Sequence, residues 1–237
     1  MPIYQIKLIE RQVIAQQTIV CHFEKPSGFS FKPGQYGGFT LINPIGMSPQ
    51  ESTRRFSFAS APHDPFLALA TRLQDSPYKQ ALNQLLIGET MKLAGPTGNF
   101  ILPEDESIPV VLIAGGIGIT PFYSMIHDAI YRQSKRLIIL IYGNETALDA
   151  PFLQTLQMLS KNTSSFHCIA TLSKPTPDWT GETGWISYQL IKKSVPNLLT
   201  SHYYLCGSLH MVNALHETLN ELAIPESQIK IEDFPGY

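Results

Sequence analysis

The sequence is short of charge, of cysteine and of long apolar runs, and each shortage closes off a class of protein. Only 15% of its 237 residues are charged, and the net charge of −2 gathers in no block of one sign. A nucleic-acid groove or polybasic membrane anchor is therefore not expected. No apolar stretch reaches the length of a spanning helix. The three cysteines, Cys21, Cys168 and Cys206, are odd in number and far apart. That suits reduced thiols better than a disulfide framework, and it supplies no close-spaced set for an iron–sulfur cluster. The opening MPIYQIKLIERQ meets charge by Lys7 and lacks a signal-peptide pattern, so a cytoplasmic location is expected. Seven histidines form no H-x-x-x-H or H-E-x-x-H pair, so no metal site is expected. The G-x-S-x-G elbow, the P-loop and the kinase signatures are missing as well.

What remains falls into two rhythms. Residues 1–104 read as many short strands, with alternation through YQIKLIERQVIAQQTIVCHFE and again in FLALATRL. Pro33-Gly34 marks a turn, because proline presets φ and glycine accepts a positive one. The one helix expected in this half is Ser76–Leu86, with Ser76 at the N-cap and Pro77 at the first helical position. ETMKLAGPTGNF gives a further strand and a Gly/Pro turn. This pattern predicts a small antiparallel barrel. From residue 105 the rhythm changes. VVLIA is continuously apolar, as in a strand buried on both faces. Phe122, Met125, Ile126, Ala129 and Ile130 then fall on one helical stripe. LIILIY, ALDAPFLQTLQML, FHCIATL, YQLIKKSV, YYLCG, LHMVNALHETLNELA and QIKIEDF continue the alternation of strand and helix, predicting a parallel sheet over residues 105–237.

Two stretches carry chemistry. In VVLIAGGIGITP, Gly115, Gly116 and Gly118 occupy the turn from a buried strand into a helix. Without Cβ atoms they let backbone N–H groups approach a pyrophosphate at the positive helix end. Thr120-Pro121 stands where the usual dinucleotide fingerprint has its third glycine, and no acid lies about 20 residues on. In RRFSFAS, alternation puts Arg54, Phe56 and Phe58 on one side of a strand and Arg55, Ser57 and Ala59 on the other. That arrangement fits either a charged edge strand or a seat for something flat with an anionic tail.

FKPGQY, RRFSFAS, TRLQDSPYKQAL, AGPTGNF, GGIGITP, YLCG and IEDF occur in an order that resembles the ferredoxin–NADP reductase family of flavoproteins across nearly the whole chain. The resemblance implies two domains: an antiparallel β-barrel that binds flavin, then an α/β parallel-sheet domain that binds the nicotinamide dinucleotide. It implies that Arg54 holds the flavin phosphates, Phe56 packs on the isoalloxazine and Ser57 reaches its N5 region. Thr71, Leu73 and Ser76 would complete the flavin site, with Ser76 opening the helix that faces the pyrophosphate. Gly115, Gly116, Gly118, Thr120 and Pro121 would take the dinucleotide, and Cys206-Gly207 would lie beside the nicotinamide. Ser57, Cys206 and Glu232 are the catalytic candidates. Ser173 and Lys174 stand where NADP-using relatives hold the 2′-phosphate, although the same segment also looks like that of NADH-using oxygenase reductases. Phe234 or Tyr237 would cover the flavin face.

Phe56 departs from the family's usual tyrosine. Phe56 and Ser57 also point to opposite faces, so both reach one flavin only at the end or edge of the strand. The implied activity is NADPH- or NADH-dependent reduction of bound FAD, FAD being preferred to FMN. Electrons would pass on to a separate ferredoxin, flavodoxin or oxygenase component. A free-flavin reductase and a non-catalytic flavin-binding electron-transfer subunit are the alternatives.

Overall fold

The computed structural model describes residues 2–44, 46–74 and 76–233. They build two six-stranded sheets in succession. The first holds β1 (Ile3–Ala15), β2 (Thr18–Glu24), β3 (Tyr36–Leu41), β4 (Thr53–Ser57), β5 (Phe66–Arg72) and β6 (Thr90–Thr97), in the order β4-β3-β6-β1-β2-β5. Every pairing in it is antiparallel. Its inward side chains meet in one cluster that includes Leu8, Phe23, Phe39, Phe58, Leu69 and Leu93. The sheet rolls until its two edge strands approach. Just past β4, the Ala59 N–H donates to Ala68 O on β5 at 2.8 Å. Rolling satisfies edge groups that would otherwise stand open. The helix α1 (Pro77–Gln84) plugs one end with Tyr78 and Leu82.

The second sheet is parallel, with β7 (Val110–Gly115), β8 (Ile138–Asn144), β9 (Phe166–Leu172), β10 (Glu182–Thr183), β11 (His202–Gly207) and β12 (Ile229–Asp233) in the order β10-β9-β8-β7-β11-β12. Four helices connect these strands: α2 (Ile119–Tyr131), α3 (Leu153–Asn162), α4 (Tyr188–Ser194) and α5 (Leu209–Glu221). The unbroken apolar run of β7 has a direct cause. Val110, Leu112 and Ala114 enter one core, with Phe122 and Ile126 of α2, while Val111 and Ile113 enter the opposite core with Leu215 and Leu219 of α5. Each such full burial is worth roughly 1.5–3 kcal/mol.

Several local expectations change. α1 stops at Gln84, two residues early, and Ser76 sits at its N-cap without a side-chain capping bond. β6 runs straight through Gly95-Pro96, where a turn was expected; that peptide is cis. ALDAPFLQTLQML divides into a 3₁₀ turn at Ala147–Asp149 and α3 from Leu153, because Pro151 and a left-handed Phe152 interrupt it. The two-residue β10 lies in a segment with no strand signal.

The halves are tied by specific bonds. Tyr204 Oη and Lys230 Nζ both donate to Ile101 O at 2.9 Å. Buried Arg136 donates to Pro103 O and Ile108 O, and Ser124 Oγ donates to Ser60 O at 2.6 Å. The Pro33-Gly34 turn is wedged at the junction. Gly34 has φ +91°, and a Cβ there would lie 2.0 Å from Phe100 O and 2.4 Å from Met125 Cε.

Candidate functional site

The glycine loop becomes a short 3₁₀ turn, Gly116–Gly118, that runs directly into α2. Its close approach is to β11. A Cβ on Gly118 would lie 2.3 Å from Cys206 O, 2.6 Å from Cys206 C and 2.8 Å from Gly207 N, all backbone atoms. Thr120 Oγ1 donates to Ile117 O at 3.1 Å, and Pro121 sits in the first turn of α2, where no helical N–H is owed. Tyr142 Oη stands 3.0 Å from Gly116 O and 3.1 Å from Pro151 O and shares its single O–H between these two acceptors, so a fully buried phenol at the end of β8 ties the loop to the Pro151 turn. Met211 covers Gly115 and Gly207 together, its thioether standing where a Cβ of either would go.

Cys206 is paired in register with Ala114 on one side and Glu232 on the other. Its side chain is fully buried in the core with Phe100, Phe122 and Tyr204. Strand parity sends the thiol inward, with the Cys206 backbone carbonyl turned toward Gly118. Glu232 reaches the other half of the molecule, where buried Ser57 donates to its Oε2 at 3.4 Å across 175 residues of chain. Ser57 ends β4, so Phe56 and Ser57 do stand at a strand end.

Phe56 packs edge-on to Phe39 (5.9 Å) and lies 5.9 Å from the Tyr78 ring. Arg54 holds its guanidinium over the same Tyr78 ring at 5.6 Å and donates to the carbonyls of Glu51 and Thr53. Tyr78 Oη donates to Phe39 O at 2.9 Å, and burial drives its pKa well above the usual phenol range. Arg55 lies over Tyr36 instead. Thr71 is buried on β5, and Leu73 N–H donates to Gln17 O at 2.6 Å.

Two cations that the sequence reading passed over complete this corner. Lys79 on α1 has its pKa lowered by burial first, then by repulsion from Arg54 and Arg72. Arg72 donates from Nη2 to Asp149 O at 3.1 Å, while its Nε is buried without a hydrogen-bond partner. Among the described residues none of the three cations forms an ion pair with a carboxylate. The clue in the sequence was that Arg72 and Lys79 flank Ser76, four residues before it and three after, within TRLQDSPYK.

At the far edge of the parallel sheet, the Ser173 and Lys174 N–H groups donate to Asn144 O (3.0 Å) and Glu145 O (2.7 Å). Lys174 Nζ is engaged by Glu145 Oε2 at 2.8 Å, which raises its pKa. Ser173 Oγ and Asn144 Oδ1 are buried and unpartnered. Phe234 and Tyr237 lie outside the described residues.

These features fit the two nucleotides the resemblance implies. Unneutralised cations gather around α1 with an orphaned guanidinium N–H, and a backbone cradle at Gly118 admits no side chain. Orphaned polar atoms wait at the end of β9.

Comparison with known proteins agrees. Residues 112–217 match the oxidoreductase NAD-binding domain family. The chain is 27% identical over 227 residues to ferredoxin–NADP reductase B of Sorangium cellulosum, covering 90% of this chain and 89% of that protein. It is 26% identical over 212 residues to a flavohemoprotein of Oceanobacillus iheyensis, covering 86% of this chain. It spans only 52–59% of the length of the flavohemoproteins it matches first. Among solved structures, the Amycolatopsis cytochrome P450 reductase GcoB superimposes with a TM-score of 0.83 at 25% identity, covering 98% of this chain and 70% of that one. A Neisseria gonorrhoeae ferredoxin NADP+ reductase with bound FAD and NADP shares the fold, with a TM-score of 0.83, 21% identity and 98% coverage of both chains. The chain is thus similar, over most of its length, to ferredoxin–NADP reductases and to the reductase components of oxygenases, and its second half matches the oxidoreductase NAD-binding domain family.

Proposed function

We propose that the protein takes hydride from NADH or NADPH onto bound FAD and hands the electrons to a separate acceptor, a ferredoxin, a flavodoxin or an oxygenase component. The supporting observation is the meeting of Ser57 and Glu232 at the seam between the two sheets, flanked by a cationic corner on one side and a glycine cradle on the other. The domain boundary is placed between residues 104 and 105. FAD, when bound, supplies a ring that accepts hydride and releases electrons one at a time.

The chain's own groups have separate tasks. Arg54, Arg72 and Lys79 hold the flavin diphosphate, Arg54 through a planar fork of donors. Phe56 gives the flavin ring an apolar face. Gly115, Gly116 and Gly118 offer backbone donors to the nicotinamide dinucleotide, with Gly207 beside them under Met211. Ser57 orients the reacting ring, and Glu232 fixes the direction in which the Ser57 hydroxyl points.

The test is the visible spectrum of the purified protein, recorded again after anaerobic NADPH and, separately, NADH. A yellow protein bleached by one of them agrees with the proposal. A yellow protein that neither bleaches fits a flavin-binding subunit instead, and a colourless one that reduces added flavin fits a free-flavin reductase. Ser57→Ala is expected to slow bleaching roughly 10²-fold or more with flavin content unchanged. Unchanged bleaching would remove Ser57 from the mechanism.

A further inference from the structure

A cavity of about 300 Å³ opens between the two halves on the barrel's outer face. One wall comes from β1, β2 and β5, where the His22 ring stacks on Phe66 with centroids 4.4 Å apart and planes 22° apart. The other comes from α2 and the start of α3. There Tyr123 stacks on Phe152 (4.0 Å, 21°) and lies 4.2 Å from the His127 ring. None of its lining residues belongs to the nucleotide sites described above.

Three features give the cleft a chemistry. It is walled by flat rings on both sides, so a flat guest fits it better than a branched one. Among the described residues its lining contains no lysine or arginine, but it does contain the Asp64 carboxylate. Asp64 acts on both rings: burial first and the Asp64 charge second push the pKa of Tyr123 up to about 12, and Asp64 opposes the lowering that burial imposes on His127. Finally, His127 Nε2 is buried and has no hydrogen-bond partner. A buried neutral imidazole with an open nitrogen costs stability until something meets it. The volume sits at the lower end of small-molecule sites, enough for a one- or two-ring guest.

We propose that this interdomain cleft binds a small planar aromatic cation bearing N–H donors, of the amidine, aminopyridinium or imidazolium class. Its ring lies between the His22–Phe66 pair and the Tyr123–Phe152 pair, where aromatic faces favour positive charge. Its N–H groups donate to Asp64 and to His127 Nε2. Other charged groups near the cleft are already engaged: Glu10 by His22 at 2.8 Å, Asp128 by Arg132 at 2.8 Å, and Lys25 by the Pro62 and Asp64 carbonyls. Asp64 itself accepts from the Ala61 N–H at 2.7 Å through Oδ2 and stands 3.7 Å from His63 through Oδ1. The cleft also touches Ala59 and Ser60, two and three residues past Ser57, so a guest would press on the segment that carries the seam.

The test uses three probes of nearly one shape, titrated calorimetrically into the flavin-loaded protein at pH 7.5: benzamidine (cation), benzamide (neutral) and benzoate (anion). Benzamidine is expected to bind at least roughly tenfold tighter than benzamide, and benzoate not at all. Asp64→Asn keeps an oxygen for the Ala61 N–H and should erase the preference for benzamidine. Thr155→Phe fills the cleft from α3 and should abolish binding of every probe. Flavin content of each variant reports folding, and the three-probe comparison on the unaltered protein stands if a variant fails to fold. Equal affinity for benzamidine and benzamide, no benzamidine binding, or binding untouched by Thr155→Phe would overturn the proposal.

Discussion

On the proposed function, the two halves of the molecule meet an anionic cofactor by opposite means. The barrel half uses side chains: Arg54, Arg72 and Lys79 converge on α1, repel one another and form no ion pair with a carboxylate among the described residues. The α/β half uses backbone. Its loop at Gly115–Gly118 carries no cation, and its contribution is a close approach of main chain to main chain without a Cβ between. Side-chain cations tolerate adjustment, since long flexible arms can shift. A backbone cradle does not, because its neighbours are fixed by the sheet. The difference predicts how each half fails: the cradle abruptly, the cationic corner by degrees.

The largest effect is expected at the cradle. Gly118→Ala forces a methyl group against the Cys206 carbonyl and the Gly207 nitrogen, which are held in register by β7 and β12. Overpacking of this kind costs roughly 1–3 kcal/mol, and at about 2–4 °C per kcal/mol for a chain of this size the melting temperature should fall by several degrees. Flavin content should stay near normal while bleaching by NADH or NADPH drops at least roughly tenfold. If flavin were lost and bleaching of the remainder were normal, the division of labour between the halves would be wrong.

A smaller effect is expected at the cationic corner. Arg54→Met removes a planar pair of donors, and a charge-assisted contact of that sort is worth roughly 1.5–3 kcal/mol. Flavin should then dissociate about 10–100-fold more readily, measured by recovery of flavin fluorescence on dilution. Arg72→Met should act in the same direction, and its Nε is one of the few buried polar atoms with nothing to bond. Normal nucleotide bleaching in the flavin-saturated Arg54→Met protein would sharpen the contrast; loss of that response would blur it.

How much of this was legible beforehand follows the same divide. Backbone devices announce themselves, because glycine and proline are needed where they stand. GGIGITP therefore marked the cradle, and Pro33-Gly34 marked the junction turn. Apolar rhythm exposed the two sheets, since β7 feeds two cores and cannot alternate. Side-chain convergence was harder to see. Arg72 and Lys79 look like ordinary surface cations until rolling of the barrel brings β5, β4 and α1 together. Tyr142 and Met211 pin and cover the loop from elements 24 and 93 residues past Gly118, and no local pattern indicates that. The end of its strand drew attention to Cys206, but the parity of YYLCG turns the thiol inward with Tyr204. The Ser57–Glu232 contact joins the fourth strand to the last, a pairing that spacing alone cannot contain.

The smallest effect is also the most discriminating, because its two parts have opposite signs. Burial and the neighbouring Arg54 and Arg72 depress the Lys79 pKa in the flavin-free protein. A lysine depressed in the folded state is charged more readily when unfolded. At neutral pH it therefore costs stability, and the cost is relieved as pH rises through the folded-state value toward the unfolded one near 10.4. Lys79→Met should raise the melting temperature of the flavin-free protein slightly, by about 1–2 °C given how much solvent the group still sees. That gain should shrink as the solution approaches about pH 10. With flavin bound, the sign reverses: the diphosphate neutralises the cluster, Lys79 becomes an asset, and the substitution should weaken flavin binding by roughly two- to fivefold. A substitution that helps the empty protein and harms the loaded one identifies a cluster built for an anion. Stabilisation of both forms by Lys79→Met would mean that the three cations crowd together for packing alone.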